Sequence, residues 1–203
     1  MNYKVFNKTD VQILASFLMN DEIVCLPTET VYGVCVKASS KLAFDKMVDA
    51  KNRPSNKAFP LAVASLSDVK RYASITPLQE KVIKHFLNES LTVVVKKRSD
   101  VPGYVTANQE TIALRLLDDE FIKSLIKELK EPILLTSANL SGETPIESIE
   151  EGIRVFPTVK AFVDGDLIKN GVPSTIVSLV DDEIRILRQG KITLEEIRKV
   201  MEE

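Results

Sequence analysis

The chain has 203 residues, 44% of them apolar, enough to bury one sizeable α/β core. Its net charge of -2 and pI of about 5.7 argue against a surface that grips a phosphate backbone over its whole area, although a local basic groove remains compatible with them. Two cysteines and one histidine cannot readily furnish a tetrahedral zinc site, and the N-terminus lacks the basic region and apolar core of a signal peptide, so a reducing, cytoplasmic setting is expected.

In chain order, the 3.6-residue spacing predicts a helix over 10–19 with Val11, Leu14 and Leu18 on one face, capped by Thr9 or Asp10. Residues 23–26 and 31–36 read as buried strands, each holding one cysteine, Cys25 and Cys35, expected as free thiols. Between them Pro27-Thr28-Glu29-Thr30-Val31-Tyr32-Gly33 interrupts the apolar pattern with hydroxyls, a carboxylate and a phenol. Burying such groups is costly unless they are paired or face a ligand, which predicts a polar pocket lined by Thr28, Thr30 and Tyr32 and floored by Gly33; a tight turn with satisfied hydroxyls is the alternative.

A helix over 40–50 follows, with Leu42, Ala43, Met47 and Ala50 inward and Ser39 or Ser40 as cap. It runs into Lys51-Asn52-Arg53-Pro54-Ser55-Asn56-Lys57, where three cations in seven residues suit an anion gripped from several sides, or a solvated helix end. A short strand at 60–64 and a helix opened by Thr76-Pro77-Leu78-Gln79, a capping box with proline at the first helical position, come next. His85 on that helix is expected to be partly exposed, not a catalytic base. Strands are expected at 91–96 and 111–116, the second carrying Arg115, whose buried guanidinium needs an anionic partner: substrate, Asp118, Asp119 or Glu29.

A helix at 119–130 places Phe121, Ile122, Leu125, Ile126 and Leu129 on one face. The buried strand 133–136 then runs into Ser137-Ala138-Asn139-Leu140-Ser141-Gly142, hydroxyls, an amide and backbone N–H groups of the kind that bind ligands at strand ends, though equally ordinary turn chemistry. Strands near 161–164, 175–180 and 183–188 follow, the last two turning at Asp181-Asp182, before a helix capped by Thr193 and Glu196. Ser174 opens the 175–180 strand and Arg188 closes the next. The polar loops 51–59 and 98–109 are where sites tend to sit. Helices alternating with hairpin-like pairs indicate a mixed sheet in one compact domain over 1–203, and neither a P-loop nor a dinucleotide fingerprint occurs.

Taken together and in this order, Pro27–Gly33, Lys51-x-Arg53-Pro54, Thr136-Ser137-Ala138-Asn139 with Ser141-Gly142, Pro173-Ser174-Thr175-Ile176-Val177, and Arg188 with Gly190 resemble the YrdC/Sua5/TsaC family of threonylcarbamoyl-AMP synthases in its short, single-domain form. The resemblance implies an α/β fold, a YrdC-like twisted mixed sheet with flanking helices around a deep basic cavity. It implies synthesis of threonylcarbamoyl-AMP and pyrophosphate from L-threonine, bicarbonate or carbon dioxide, and ATP, with Mg²⁺, for N6-threonylcarbamoylation of adenosine 37 in tRNA. By the same likeness Lys51, Arg53, Ser137, Asn139 and Arg188 bind the nucleotide, Lys51 and Arg53 being catalytic. Thr28, Tyr32, Arg115 and Ser174 seat threonine, and the product passes to downstream transfer proteins. The chain departs from the family pattern at Ala58-Phe59, at Ala62 and at Leu117, which bears on the threonine site. A double-stranded RNA or tRNA module using the same cavity is the competing reading; a carbamoyltransferase-like activity is a further one.

Overall fold

The computed structural model describes residues 3–54, 56–117, 119–165 and 173–202. Strands β1 (Lys4–Phe6), β2 (Val24–Leu26), β3 (Gly33–Lys37), β4 (Leu61–Val63), β5 (Leu91–Lys96), β6 (Thr111–Leu116), β7 (Ile133–Ser137), β8 (Ala161–Val163), β9 (Thr175–Ser178) and β10 (Arg185–Arg188) form one sheet in the order β1-β8-β2-β3-β7-β4-β6-β5-β9-β10. It is mixed: β1/β8, β2/β8, β4/β6 and β5/β9 are parallel and the other neighbours antiparallel. Helices α1 (Val11–Met19), α2 (Lys41–Ala50), α3 (Leu66–Tyr72), α4 (Pro77–His85), α5 (Glu120–Leu129), α6 (Ile149–Val155) and α7 (Leu194–Glu202) lie against it.

Strand periodicity divides the core in two. Val24 pairs with Cys35 and Cys25 with Val34, so the two free, buried thiols point to opposite faces of adjacent strands. On one face Cys25, Val34, Leu61, Val93 and Leu114 pack with residues of α2, α3, α4, α6 and α7. On the other, Leu14, Ala15 and Leu18 of α1 and Ile122, Leu125, Ile126 and Leu129 of α5 cover Val24, Cys35, Ala62, Ile133 and Leu135. That second cover stops at β4. Beyond it β6, β5 and β9 turn the cross-strand row Arg115–Thr92–Ile176 to the same side, with no helix among the described residues over it. Covering half a sheet face with two helices is what leaves room for a cavity.

The capping box is present: Gln79 N–H donates to Thr76 Oγ1 at 3.1 Å and Thr76 N–H to Gln79 Oε1 at 3.0 Å. Thr193 and Glu196 exchange the same pair of bonds ahead of α7. Leu42, expected inward, is 57% exposed, because a helix started by Ser40 directs Ala43, Phe44 and Met47 to the sheet and Leu42 about 100° away. Phe121 and Val11 are only half-buried. The hairpin β9–β10 is shorter than expected; Asp181 (φ 57°) and Asp182 (φ 61°) take up the left-handed turn, a conformation that aspartate tolerates. Strand β1 and helices α3 and α6 went unpredicted. Three edge residues and two-turn helices are too short to show a period.

Candidate functional site

A cavity of about 430 Å³ opens on the uncovered part of the sheet. Its base is the strand row itself, Thr92, Ala113, Arg115 and Ile176, and its walls are loops from four parts of the chain. Thr30 and Val31 come from the β2–β3 turn, and Arg53, Ala58 and Pro60 from the α2–β4 loop. Thr136, Ser137, Asn139, Glu143 and Pro145 come from the end of β7 and beyond, Pro173 and Ser174 from the residues just before β9, and Arg188 from the end of β10. Three arginines against Glu143 make the lining cationic, a charge that suits a polyanion.

Arg53 is held within its own loop, whereas Arg115 and Arg188 are held by segments distant in sequence. Arg115 donates from Nη2 to Glu29 Oε1 at 3.0 Å, Thr30 Oγ1 at 2.9 Å and Thr28 Oγ1 at 3.4 Å, so Glu29 is the anionic partner that a guanidinium in an apolar strand requires. Asp119 instead caps α5 through Ile122 N–H, and Asp118 lies outside the described residues. Arg188 donates from Nε and Nη2 to Ser174 O at 3.0 and 2.8 Å and from Nη2 to Ser174 Oγ at 3.1 Å; Ser174 Oγ is in turn 3.1 Å from Thr92 Oγ1. Arg53 donates to Lys57 O at 3.0 Å and Ala58 O at 2.8 Å while stacking over Phe59, 4.8 Å from its ring centre. Ser137 Oγ donates to Asn139 Oδ1 at 2.5 Å, and Asn139 Nδ2 to Leu140 O and Glu143 O, which folds the loop after β7 on itself.

Of the residues singled out in the sequence, Arg53, Arg115, Ser137, Asn139, Ser174 and Arg188 therefore line one cavity, together with Thr30. Lys51, Thr28 and Tyr32 do not. Lys51 is 1% exposed, and its amine donates to Ser137 O at 2.5 Å and Asn139 O at 2.7 Å, while its carbonyl accepts from Ser141 N–H at 2.9 Å. It clasps the loop that carries Ser137 and Asn139 from behind. Thr28 closes its turn by donating to Val31 O at 2.6 Å. Tyr32 is buried and donates to Gly165 O at 3.0 Å. The pocket expected around the heptapeptide is thus displaced: Gly33 sits in β3 opposite Ser137, where a Cβ would lie 2.8 Å from Leu135 Cδ1. The loop 98–109 contributes no lining residue, and His85 is exposed at the end of α4. Thr92 and Glu143 were missed; Thr92 stands in an apolar strand run, and only its register opposite Arg115 marks it.

Burial lowers the pKa of Arg53 and Arg188 from the ordinary arginine value, the charge of Arg115 adding to the effect at Arg188. Burial first, and the Arg53 charge second, pull the Lys51 amine down from 10.5 to about 8. Between those values the unfolded chain holds a proton that the folded protein has lost, so stability on this account rises with pH. The wild type is expected to gain about 1 kcal/mol more than Lys51→Met between pH 7.5 and 9 in urea titrations. The window ends there because burial raises the pKa of both cysteines, Cys25 to about 12, which reverses the slope above the ordinary thiol value of 9.0. Identical pH slopes in the two proteins would show that the amine is not perturbed.

No cluster of three His, Cys, Asp or Glu side chains fit to hold a metal occurs among the described residues, and Glu143 is the one carboxylate among those lining the cavity. A magnesium ion would fit this site only as a companion of phosphate oxygens and water, the ligands it ordinarily keeps.

The family model Sua5/YciO/YrdC, described as "Telomere recombination", matches residues 16–190. A threonylcarbamoyl-AMP synthase of Pyrococcus abyssi is 32% identical over 95% of this chain and 57% of its own length. A putative threonylcarbamoyl-AMP synthase of Methanocaldococcus jannaschii is 31% identical over 95% of this chain and 91% of its own. The crystal structure of P. abyssi Sua5 complexed with L-threonine superposes with a TM-score of 0.89 at 30% identity, covering 97% of this chain and 60% of that one. The chain thus spans little more than half the length of the P. abyssi relative.

Proposed function

The chain belongs to the Sua5/YciO/YrdC family, and on that premise we propose that it joins L-threonine, bicarbonate or carbon dioxide, and ATP into threonylcarbamoyl-AMP and pyrophosphate. The observation that carries this reading is the convergence of Arg53, Arg115 and Arg188 with Ser137, Asn139 and Ser174 on a single cavity. A triphosphate beside an amino acid brings several negative charges together, and three guanidiniums in a partly enclosed space answer that demand.

The neutral threonine amine attacks carbon dioxide, its nitrogen giving up one proton to water, and a carbamate results. A carbamate oxygen then attacks the α-phosphorus, the bond to the β-phosphate breaks, and pyrophosphate leaves with the electron pair. Charge builds on the α-phosphoryl oxygens and on the leaving group, where Arg53 and Arg188 stabilise it, the usual protein contribution to phosphoryl transfer. Bound with the triphosphate, Mg²⁺ would add charge neutralisation there. Ser137 and Asn139 orient the phosphates, and Lys51 keeps their loop in place from behind. Arg115 and Ser174, with Thr28 and Tyr32 bracing the turn above them, seat threonine. Recessing the reaction on the sheet restricts water, which a carbamate requires. The product serves threonylcarbamoylation of tRNA through downstream transfer proteins.

Burial of the arginine at the base of the cavity weighs against the RNA-binding reading. Arg115 is 6% exposed, and duplex phosphates are gripped by side chains that project from a surface. No helix among the described residues is long and apolar enough to cross a membrane. The test is direct mass detection of threonylcarbamoyl-AMP after incubation with ATP, Mg²⁺, L-threonine and bicarbonate. The mass is expected only when all four are present; its absence from the complete mixture overturns the proposal.

A further inference from the structure

The ion pair at the base of the cavity is built in an unusual way. Arg115 has 8% and Glu29 16% of its side-chain surface exposed, and a pair this enclosed is ordinarily a bidentate fork that satisfies both partners. Here only Nη2 reaches the carboxylate, and only at Oε1; that nitrogen is shared with Thr30 Oγ1 and Thr28 Oγ1, and Oε1 also accepts from Ser90 Oγ at 3.2 Å. Among the described residues Arg115 Nε and Glu29 Oε2 are buried without any partner. Arg115 lines the cavity and Glu29 does not. The carboxylate therefore stands behind the arginine, on the side of the 28–30 turn, and offsets its charge while holding it through one nitrogen.

From this geometry we infer that Glu29 is a positioning residue for the amino-acid half of the site, acting through Arg115: it fixes the guanidinium by Nη2 and keeps the donors not spent on Glu29 for a ligand carboxylate. The inference rests on the proposed function for the identity of that ligand. It also assigns Glu29 an electrostatic role toward the other half. Arg115 lies close enough to Arg188 to depress its pKa, so neutralising Glu29 leaves the cavity one charge more positive. Loss of Glu29 should thus act in opposite senses on the two substrates, weakening threonine through a misplaced Arg115 and sparing or tightening ATP.

The experiment measures binding of L-threonine and of a non-hydrolysable ATP analogue by calorimetry to the full chain, as wild type, Glu29→Gln, Glu29→Asp, Arg115→Met and the Glu29→Gln/Arg115→Met double variant. Glu29→Gln is expected to weaken threonine at least about tenfold, roughly 1.4 kcal/mol, with the ATP analogue unchanged or tighter. In the Arg115→Met background the same substitution should cost threonine binding nothing further, and Glu29→Asp should show the same split to a smaller extent. Equal weakening of both ligands, no weakening of threonine, or additive losses in the double variant would overturn the inference. Should Glu29→Gln not fold, Glu29→Asp decides by the same split. A wild type that binds the analogue but no threonine defeats the functional proposal itself, an outcome distinct from failure of the Glu29 assignment.

Discussion

Arg53→Ala is expected to lower threonine-dependent pyrophosphate release about a hundredfold, the loss of about 3 kcal/mol of transition-state stabilisation that removal of one charge-stabilising donor brings. The fold should tolerate the change. Arg53 spends two donors on Lys57 O and Ala58 O of its own loop and stacks on Phe59, and Nη1 has no partner among the described residues. Truncation leaves two carbonyls at the cavity margin, where water satisfies them, so the melting temperature should move little. Arg53→Lys keeps the charge without the planar fork and should fall between the two. A steady-state pyrophosphate assay with a parallel thermal melt checks both halves, and undiminished release in Arg53→Ala would remove this residue from the chemistry.

Gly190→Ala is expected to damage both stability and activity, although Gly190 touches no proposed substrate. The reason is space: a Cβ there would lie 2.4 Å from Pro173 O, 2.4 Å from Thr175 N and 2.7 Å from Ser174 C, all backbone atoms that cannot rotate away. The same close approach lets Gly190 N–H donate to Thr175 Oγ1 at 2.9 Å, whose hydroxyl donates to Ile192 O at 2.8 Å, while Arg188 two residues earlier grips Ser174 O. Alanine must push the two segments apart and so unseat Arg188 and Ser174 together. Overpacking of this kind costs about 3 kcal/mol, or roughly 6–12 °C in a chain of this size. Pyrophosphate release should fall more than tenfold at a temperature where the variant is folded, by the loss of a positioned cation. A melt and a rate both equal to wild type would show that the two segments are not in contact.

These expectations also show how much of the molecule was readable from residues alone. Elements with a strong period or an explicit cap, such as α4 behind Thr76-Pro77, α5 with its five-residue apolar face and the Val-rich β5, stand where the pattern places them. The mixed α/β sheet followed from their alternation. What the pattern could not supply was register and cover. The pairing of Thr92 with Arg115 and Ile176, and the halt of α1 and α5 at β4, decide that this stretch of sheet is the base of a cavity, and both are long-range facts. For the same reason a run of polar residues did not reveal which members face the ligand side. Lys51 has the composition of a phosphate ligand and lies buried against two carbonyls; Thr28 and Tyr32 brace the turn from which Thr30 alone, of the three, reaches the cavity. The partner of Arg115 was one of several carboxylates in the sequence and became Glu29 only through the geometry of the turn.

A crystal structure of the protein with a non-hydrolysable ATP analogue and L-threonine tests the central claim most directly. The account predicts the triphosphate within hydrogen-bonding distance of Arg53, Ser137, Asn139 and Arg188, with the threonine carboxylate on Arg115 and Ser174 in the same hollow. Nucleotide density outside that hollow, or threonine bound where Arg115 cannot reach it, would contradict it.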